Sequence, residues 1–268
     1  ERRLQRALDG ERIDEAEIDC VRHDARRFSA VVRALPLTDR DGRVFAVLSV
    51  YTDSTPRKRA ERHMILQGVV TRSLSEADNA RDAVIRVIQS FCGLSEWICG
   101  VHWVVGPADG ALRCQDAWHA PGDSALERFA GVLASARIGA HETHALARKA
   151  FAKAMPVWAG DLEHETGVAA LAARDAGLRA AFAFPVCVEG ETLGAIELFS
   201  RLAQEQDRDL LRIAGQLGGL IGQHIARRET ERRLQFVVSH DPLTGLPNRT
   251  IFSQRLSQAL AQAARYDH

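Results

Sequence analysis

The stretch that most limits the fold is Ala181-Phe182-Ala183-Phe184-Pro185-Val186-Cys187-Val188, turned by Glu189-Gly190-Glu191 into a second run from Leu193 to Phe199. Both runs are apolar on both of their alternating faces. A hairpin of this kind needs cover on each side, so it belongs inside a layered fold and not at a wet surface. A matching pair lies upstream. Trp97, Cys99, Val101, Trp103 and Val105 alternate with Ile98, Gly100, His102 and Val104. Pro107-Ala108-Asp109-Gly110 is a turn, and Leu112 to Trp118 is its hairpin partner. The expected class is α+β, an antiparallel sheet flanked by helices.

Helical spacing surrounds these strands. From Pro56 to Phe91 the apolar residues Met64, Val69, Leu74, Ala80, Val84, Val87 and Ile88 recur near the helical period. A break at Ser75 to Asn79 predicts two helices there. Residues 122–155 are Ala-rich and read as helix with loops. Pro156-Val157-Trp158 and Asp161-Leu162 suggest a short strand and turn, and 168–180 a helix ending near Gly177. The last long helix is expected from Gln206 to Val238. Leu210, Leu217 and His224 are spaced by seven, as are Ile213, Leu220 and Arg227. That spacing predicts a parallel coiled-coil linker with a polar middle through Arg227 to Arg233, and a homodimer formed through it. The alternative is a solvated single helix.

Near the start, residues 1–9 read as the end of a helix. Strands are expected at Ile13 to Cys20, Phe28 to Leu35 and Val44 to Tyr51, with a hairpin turn at Asp39-Arg40-Asp41-Gly42. Near the end, Asp241-Pro242-Leu243-Thr244-Gly245-Leu246-Pro247-Asn248-Arg249 is a rigid turn between two helical patterns, the second from Phe252 to Ala264.

Composition narrows the function classes. At 268 residues the chain is long enough for two modules. Lys+Arg and Asp+Glu are 35 each, so net charge offers no attraction to nucleic acid. No apolar run is long enough to span a bilayer, and no signal-peptide pattern is present. The first residue is Glu, which suggests a piece of a longer protein. Cys20, Cys92, Cys99, Cys114 and Cys187 are scattered, odd in number and form no CxxC pair. Reduced structural thiols and a cytoplasmic location are expected.

Three family resemblances rest on these residues. Met155 to Leu162, Ala176-Gly177-Leu178-Arg179, Ala183 to Val186 and Gly194 to Ser200, in that order, resemble a GAF domain spanning 64–227. Leu37 to Val44, followed by Asp53 to Glu61, resembles the C-terminal half of a PAS domain over 1–55, with a linker helix at 56–63. Ser54 and Pro56 stand where Ile and Glu are usual in that family. Residues 228–240 would be the coiled-coil linker, and 241–268 resemble the truncated start of a GGDEF domain, the diguanylate cyclase family. Asp241, Leu243, Thr244, Gly245, Leu246, Asn248 and Arg249 match that family's entry motif. Their roles are positioning, with Asp241 placed to cap the turn or to pair with Arg249. No catalytic residue is expected in this chain.

The GAF resemblance implies a small-molecule ligand, of unknown identity, held between the sheet and the irregular middle. Trp97, Trp103, Trp118, Trp158, Phe182 and Phe184 are the candidate lining residues. The alternative reading of the same rings is core filling. No Cys-His dipeptide is present, which argues against a covalent bilin. His141 and His144 could share a helix face, but a metal site is not expected. The GGDEF resemblance implies a parent that joins two GTP molecules into cyclic di-GMP with Mg. The rival implication is a non-enzymatic receptor or scaffold with a degenerate GGDEF domain, one form of which feeds a cyclic di-GMP phosphodiesterase domain. A GAF domain acting purely as a dimerisation spacer is the third.

Overall fold

The computed structural model describes residues 2–21, 27–239, 244, 246, 248, 251–253 and 256–259. The chain divides into two compact units, Glu1–Ile65 and Leu66–His268.

In the first unit, helix α1 (Arg2–Leu8) accompanies an antiparallel sheet of β1 (Ile13–Val21), β2 (Arg27–Thr38) and β3 (Val44–Asp53), in that order. The β2–β3 turn forms as its residues require. The Asp39 carboxylate accepts from the N–H groups of Asp41 and Arg43, both at 2.9 Å, and Gly42 takes φ 79°. Leu35 and Leu48 oppose each other across β2 and β3, and both are exposed.

Helix α2 (Thr55–Glu76) follows β3, and Asp53 Oδ1 accepts from the Thr55 N–H at 2.9 Å at its start. The expected break is real. Asn79 sits in extended geometry, its side chain accepts from the Asp82 N–H, and α3 (Ala80–Leu94) begins there. The rest of the second unit runs β4 (Cys99–Val105), β5 (Leu112–His119), α4 (Ser124–Ala134), β6 (Arg137–Ile138), α5 (Leu146–Lys153), β7 (Val157–Ala159), α6 (Val168–Asp175), β8 (Ala180–Val188), β9 (Glu191–Ser200) and α7 (Arg208–Ser239). Its sheet is antiparallel in the order β6-β5-β4-β9-β8-β7, so the hydrophobic hairpin strands β9 and β8 lie inside it beside β4.

Two apolar layers sandwich the sheet. The first lies under α4, α5 and α6 and takes Cys99, Val101, Trp103, Ala181, Ala183, Ala195 and Phe199 from the strands. The second lies under α2, α3 and α7 and takes Phe182, Phe184, Val186, Ile196 and Leu198. Strand β8 therefore presents alanines to one layer and aromatic rings to the other, which is the Ala-Phe-Ala-Phe alternation of its sequence turned into shape.

The position of α7 is set by glycine. A Cβ at Gly218 would lie 1.9 Å from the Pro185 carbonyl oxygen, and one at Gly222 2.0 Å from that of Cys187. Helix backbone rests on strand backbone at both places, an approach no other residue permits.

The heptad expectation for α7 is corrected by this packing. Leu210, Ile213 and Leu217 are buried within the domain itself, covering the sheet with Ile221. A seven-residue repeat and a sheet-covering stripe place the same residues on one helix face, and here the stripe wins. Of the two seven-residue rows, Leu220 and Arg227 are exposed; further along, Leu234 and Phe236 also face outward.

Candidate functional site

Strand β9 brings one carboxyl side chain, Glu197, into the apolar layer beneath α4–α6. Glu197 lies on β9 opposite Val101 of β4 and Ala183 of β8, and it is 2% exposed. Trp103, two residues along β4 from Val101, lies opposite Ala195, and its indole N–H donates to Glu197 Oε2 at 2.8 Å. The small side chains around the pair leave the carboxyl little but apolar surface. Burial therefore pushes its pKa up to about 7; the Trp103 hydrogen bond opposes that rise, and Glu165 adds a little to it. Near neutrality Glu197 stands between acid and anion, able to donate or to accept a hydrogen bond.

The segments over this face are tied down by cations. Arg148, buried on α5, donates to the carbonyls of Gly110 at 2.7 Å and Gly139 at 3.3 Å and lies over the Phe151 ring. Arg174 of α6 reaches the carbonyls of Leu162, Glu163 and Glu165. Lys149 pairs with Glu165 at 2.9 Å. These bonds satisfy loop backbone that would otherwise be orphaned and hold the irregular middle against the sheet.

A second buried polar group lies on the opposite face. His102 of β4 and Asp116 of β5 are paired in register, with imidazole Nδ1 3.7 Å from the carboxylate. The Arg81 side chain of α3, itself largely exposed, contacts the buried Asp116 carboxylate. A bulge between His102 and Trp103 lets the two neighbouring residues meet different strand partners, Asp116 and Cys114. The group is a tether between helix and sheet. Among the described residues no cluster of three or more His, Cys, Asp and Glu could hold a metal ion.

The six aromatic candidates divide between the layers. Trp103 alone lies on the face under α4–α6. Trp97, Trp118, Trp158, Phe182 and Phe184 lie on the face under α2, α3 and α7. There Trp97 meets Phe182 at 4.7 Å between centroids, Trp158 stacks on Phe182 at 5.4 Å, and Phe91 joins Phe184 at 5.5 Å. These five therefore lie in the apolar layer beneath α2, α3 and α7 and not on the face under the irregular middle. Trp97 differs from Trp103 because it precedes β4, where the strand alternation has not begun. Sequence reasoning missed Glu197, although a single charge inside the apolar run Gly194 to Phe199 was its signal.

In the terminal motif, Asp241, Leu243, Gly245 and Arg249 lie outside the described residues. Thr244 Oγ1 accepts from the Leu246 N–H at 3.4 Å. Asn248 performs the cap: its side chain accepts from the Ile251 N–H at 3.0 Å and its backbone carbonyl from the Phe252 N–H at 2.9 Å.

Residues 75–226 match the family model described as GAF domain, more than half of the chain. The chain belongs to the GAF domain family. That family is typical of sensory and signal-transduction proteins. No curated protein matches. Among solved structures, the GAF domain of a phosphoenolpyruvate-protein phosphotransferase from Coxiella burnetii is similar at 14% identity and a TM-score of 0.53, covering 65% of this chain and 98% of that one. A free methionine-R-sulfoxide reductase from Neisseria meningitidis, solved with its substrate, is similar at 13% identity and a TM-score of 0.51, covering 63% and 93%. The chromophore-binding domain of a bacteriophytochrome from R. palustris is similar at 12% identity and a TM-score of 0.51, covering 86% and 79%. At these identities the likeness is one of GAF fold. Among the described residues no helix is long and apolar enough to cross a membrane.

Proposed function

We propose that this GAF domain senses a small molecule on the sheet face beneath α4–α6, and that Glu197 reads it. The carrying observation is the isolated carboxyl of Glu197, buried in an apolar layer with the Trp103 indole as its hydrogen-bond donor. A carboxyl poised near neutrality suits a ligand that offers N–H or O–H groups, because it can meet either as acid or as anion. A stabilised Glu197 would bear on β8 and β9, and through the glycine contacts of β8 on α7.

The longer protein, in this reading, is cytoplasmic and makes cyclic di-GMP from two GTP with Mg, using a GGDEF domain that begins at Asp241. The match of Asp241, Leu243, Thr244, Gly245, Leu246, Asn248 and Arg249 to that family's entry motif supports it, as does the cap at Asn248. Residues 1–55 act as the end of a PAS domain. The exposed Leu234 and Phe236 on the outer half of α7 are suited to pairing two copies, which a reaction between two bound GTP molecules needs. The test is cyclic di-GMP formation from GTP and Mg by the full-length protein. Product is expected; nucleotide binding without turnover would overturn the cyclase reading and leave the sensor reading standing.

A further inference from the structure

Two ties join the α2 end of the chain to α7 in parallel order. Gln67 Nε2 donates to Gln216 Oε1 at 3.4 Å, and further along Arg228 Nη2 donates to the Ala77 carbonyl at 2.7 Å. The tie points are ten residues apart on one strand of chain (67 to 77) and twelve on the other (216 to 228), roughly 15–18 Å at helical rise. Ala77 is the first residue past the end of α2 and is 1% exposed. Its carbonyl is one of the acceptors a helix C-terminus leaves without an intrahelical donor, and a guanidinium is the partner that both the hydrogen bond and the helix dipole favour.

Arg228 also stands where α7 leaves the domain. Before it, Leu217 and Ile221 are buried and Ile225 packs on the core. After it, Glu229, Thr230, Arg232, Arg233, Leu234, Gln235 and Phe236 are all exposed. Glu231 holds the guanidinium from the other side, 3.4 Å from Arg228 Nη1, while itself pairing with Arg227 at 2.8 Å.

We propose that Arg228 is a clasp joining the end of the entering helix α2 to the exit of the departing helix α7, so that a shift of the α2–α3 turn is passed directly to the outer half of α7. The clasp gives the domain two inputs to one helix: the sheet, through Gly218 and Gly222, and α2, through Arg228. Its regulatory meaning rests on the sensory reading above, but the contact and its test do not, so the two can fail separately.

Hydrogen–deuterium exchange on the 268-residue chain tests it. Arg228→Ala is expected to raise exchange about tenfold both in residues 225–239 and in residues 76–80, with β8 and β9 unchanged. Arg227→Ala, which loses only a pair with Glu231, is expected to leave residues 76–80 at the wild-type rate. If Arg228→Ala exchanges throughout β8 and β9 and so fails to fold, Arg228→Gln takes its place, with a smaller rise at both segments expected. Wild-type exchange at residues 76–80 in the folded Arg228 variant would overturn the clasp.

Discussion

Trp103 and Glu197 meet across two neighbouring strands, indole N–H to carboxylate at 2.8 Å, inside a layer built mainly from aliphatic, alanine and phenylalanine side chains. The pair places an ionisable group where solvent cannot stabilise its charge. That juxtaposition predicts a pH-dependent contribution to the domain's stability.

The sign of that response follows from the direction of the shift. Glu197 is raised in the folded chain to about 7, so it contributes stability at acid pH, where folded and unfolded forms are both protonated. This contribution is lost as pH rises from the ordinary glutamate range through about 7. The loss is up to about 3 kcal/mol. Glu197→Gln keeps the acceptor for Trp103 and should flatten this part of the profile. Urea midpoints of both chains between about pH 4 and about pH 8 check it. Parallel profiles would show that Glu197 does not titrate there.

Trp103→Phe removes the donor that opposes the rise, so the Glu197 pKa should climb further and the pH window should move upward. The unmet carboxyl should also cost about 1–3 kcal/mol at neutral pH. Carbon-13 shifts of the Glu197 carboxyl against pH give the pKa directly; an unchanged midpoint would mean that the indole does not tune it.

Gly218→Ala and Gly222→Ala should each destabilise by about 1–3 kcal/mol or more, because the new methyl meets a strand carbonyl that cannot retreat. Gly219, between them on the same helix, has nothing within 4 Å of the added carbon. Gly219→Ala should stabilise by about 0.5–1 kcal/mol through helix propensity alone. Thermal midpoints of the three variants test the contrast, and equal effects at all three would contradict the seating of α7 on β8.

Phe182→Ala should cost about 3–5 kcal/mol, since its ring touches Trp97, Trp158, Phe91 and Phe184 and is wholly buried. Calorimetry of the variant measures it. A loss below about 1 kcal/mol would mean that the aromatic layer yields, as a ligand-lined wall could but a packed core cannot.

Much of the fold was legible in the residues because period and punctuation are local. The two hairpins, the α2–α3 break at Asn79, the Asp39–Gly42 turn and the length of α7 all follow from spacing and from residues with special backbone freedom. The side to which a ring points was not local. Trp97 and Trp103 share parity in the sequence, yet the strand begins only at Cys99 and the two fall in opposite layers. The bulge at His102 breaks the count again, so β5 presents Cys114 and Trp118 to different faces. The heptads of α7 are genuine, but a helix lying on a sheet needs the same stripe, and sequence alone does not say whether sheet or second helix fills it. Glu197 was visible as a lone charge in an apolar strand, although its partner across the sheet was not.

The most direct measurement is a thermal-shift comparison of the 268-residue chain and its Glu197→Gln variant against a panel of nucleotides, purine bases, amino acids and haem. The sensor account predicts that at least one compound raises the wild-type midpoint and that Glu197→Gln loses most of that rise. No shift with any compound, or equal shifts in both chains, would contradict the claim that Glu197 reads the ligand.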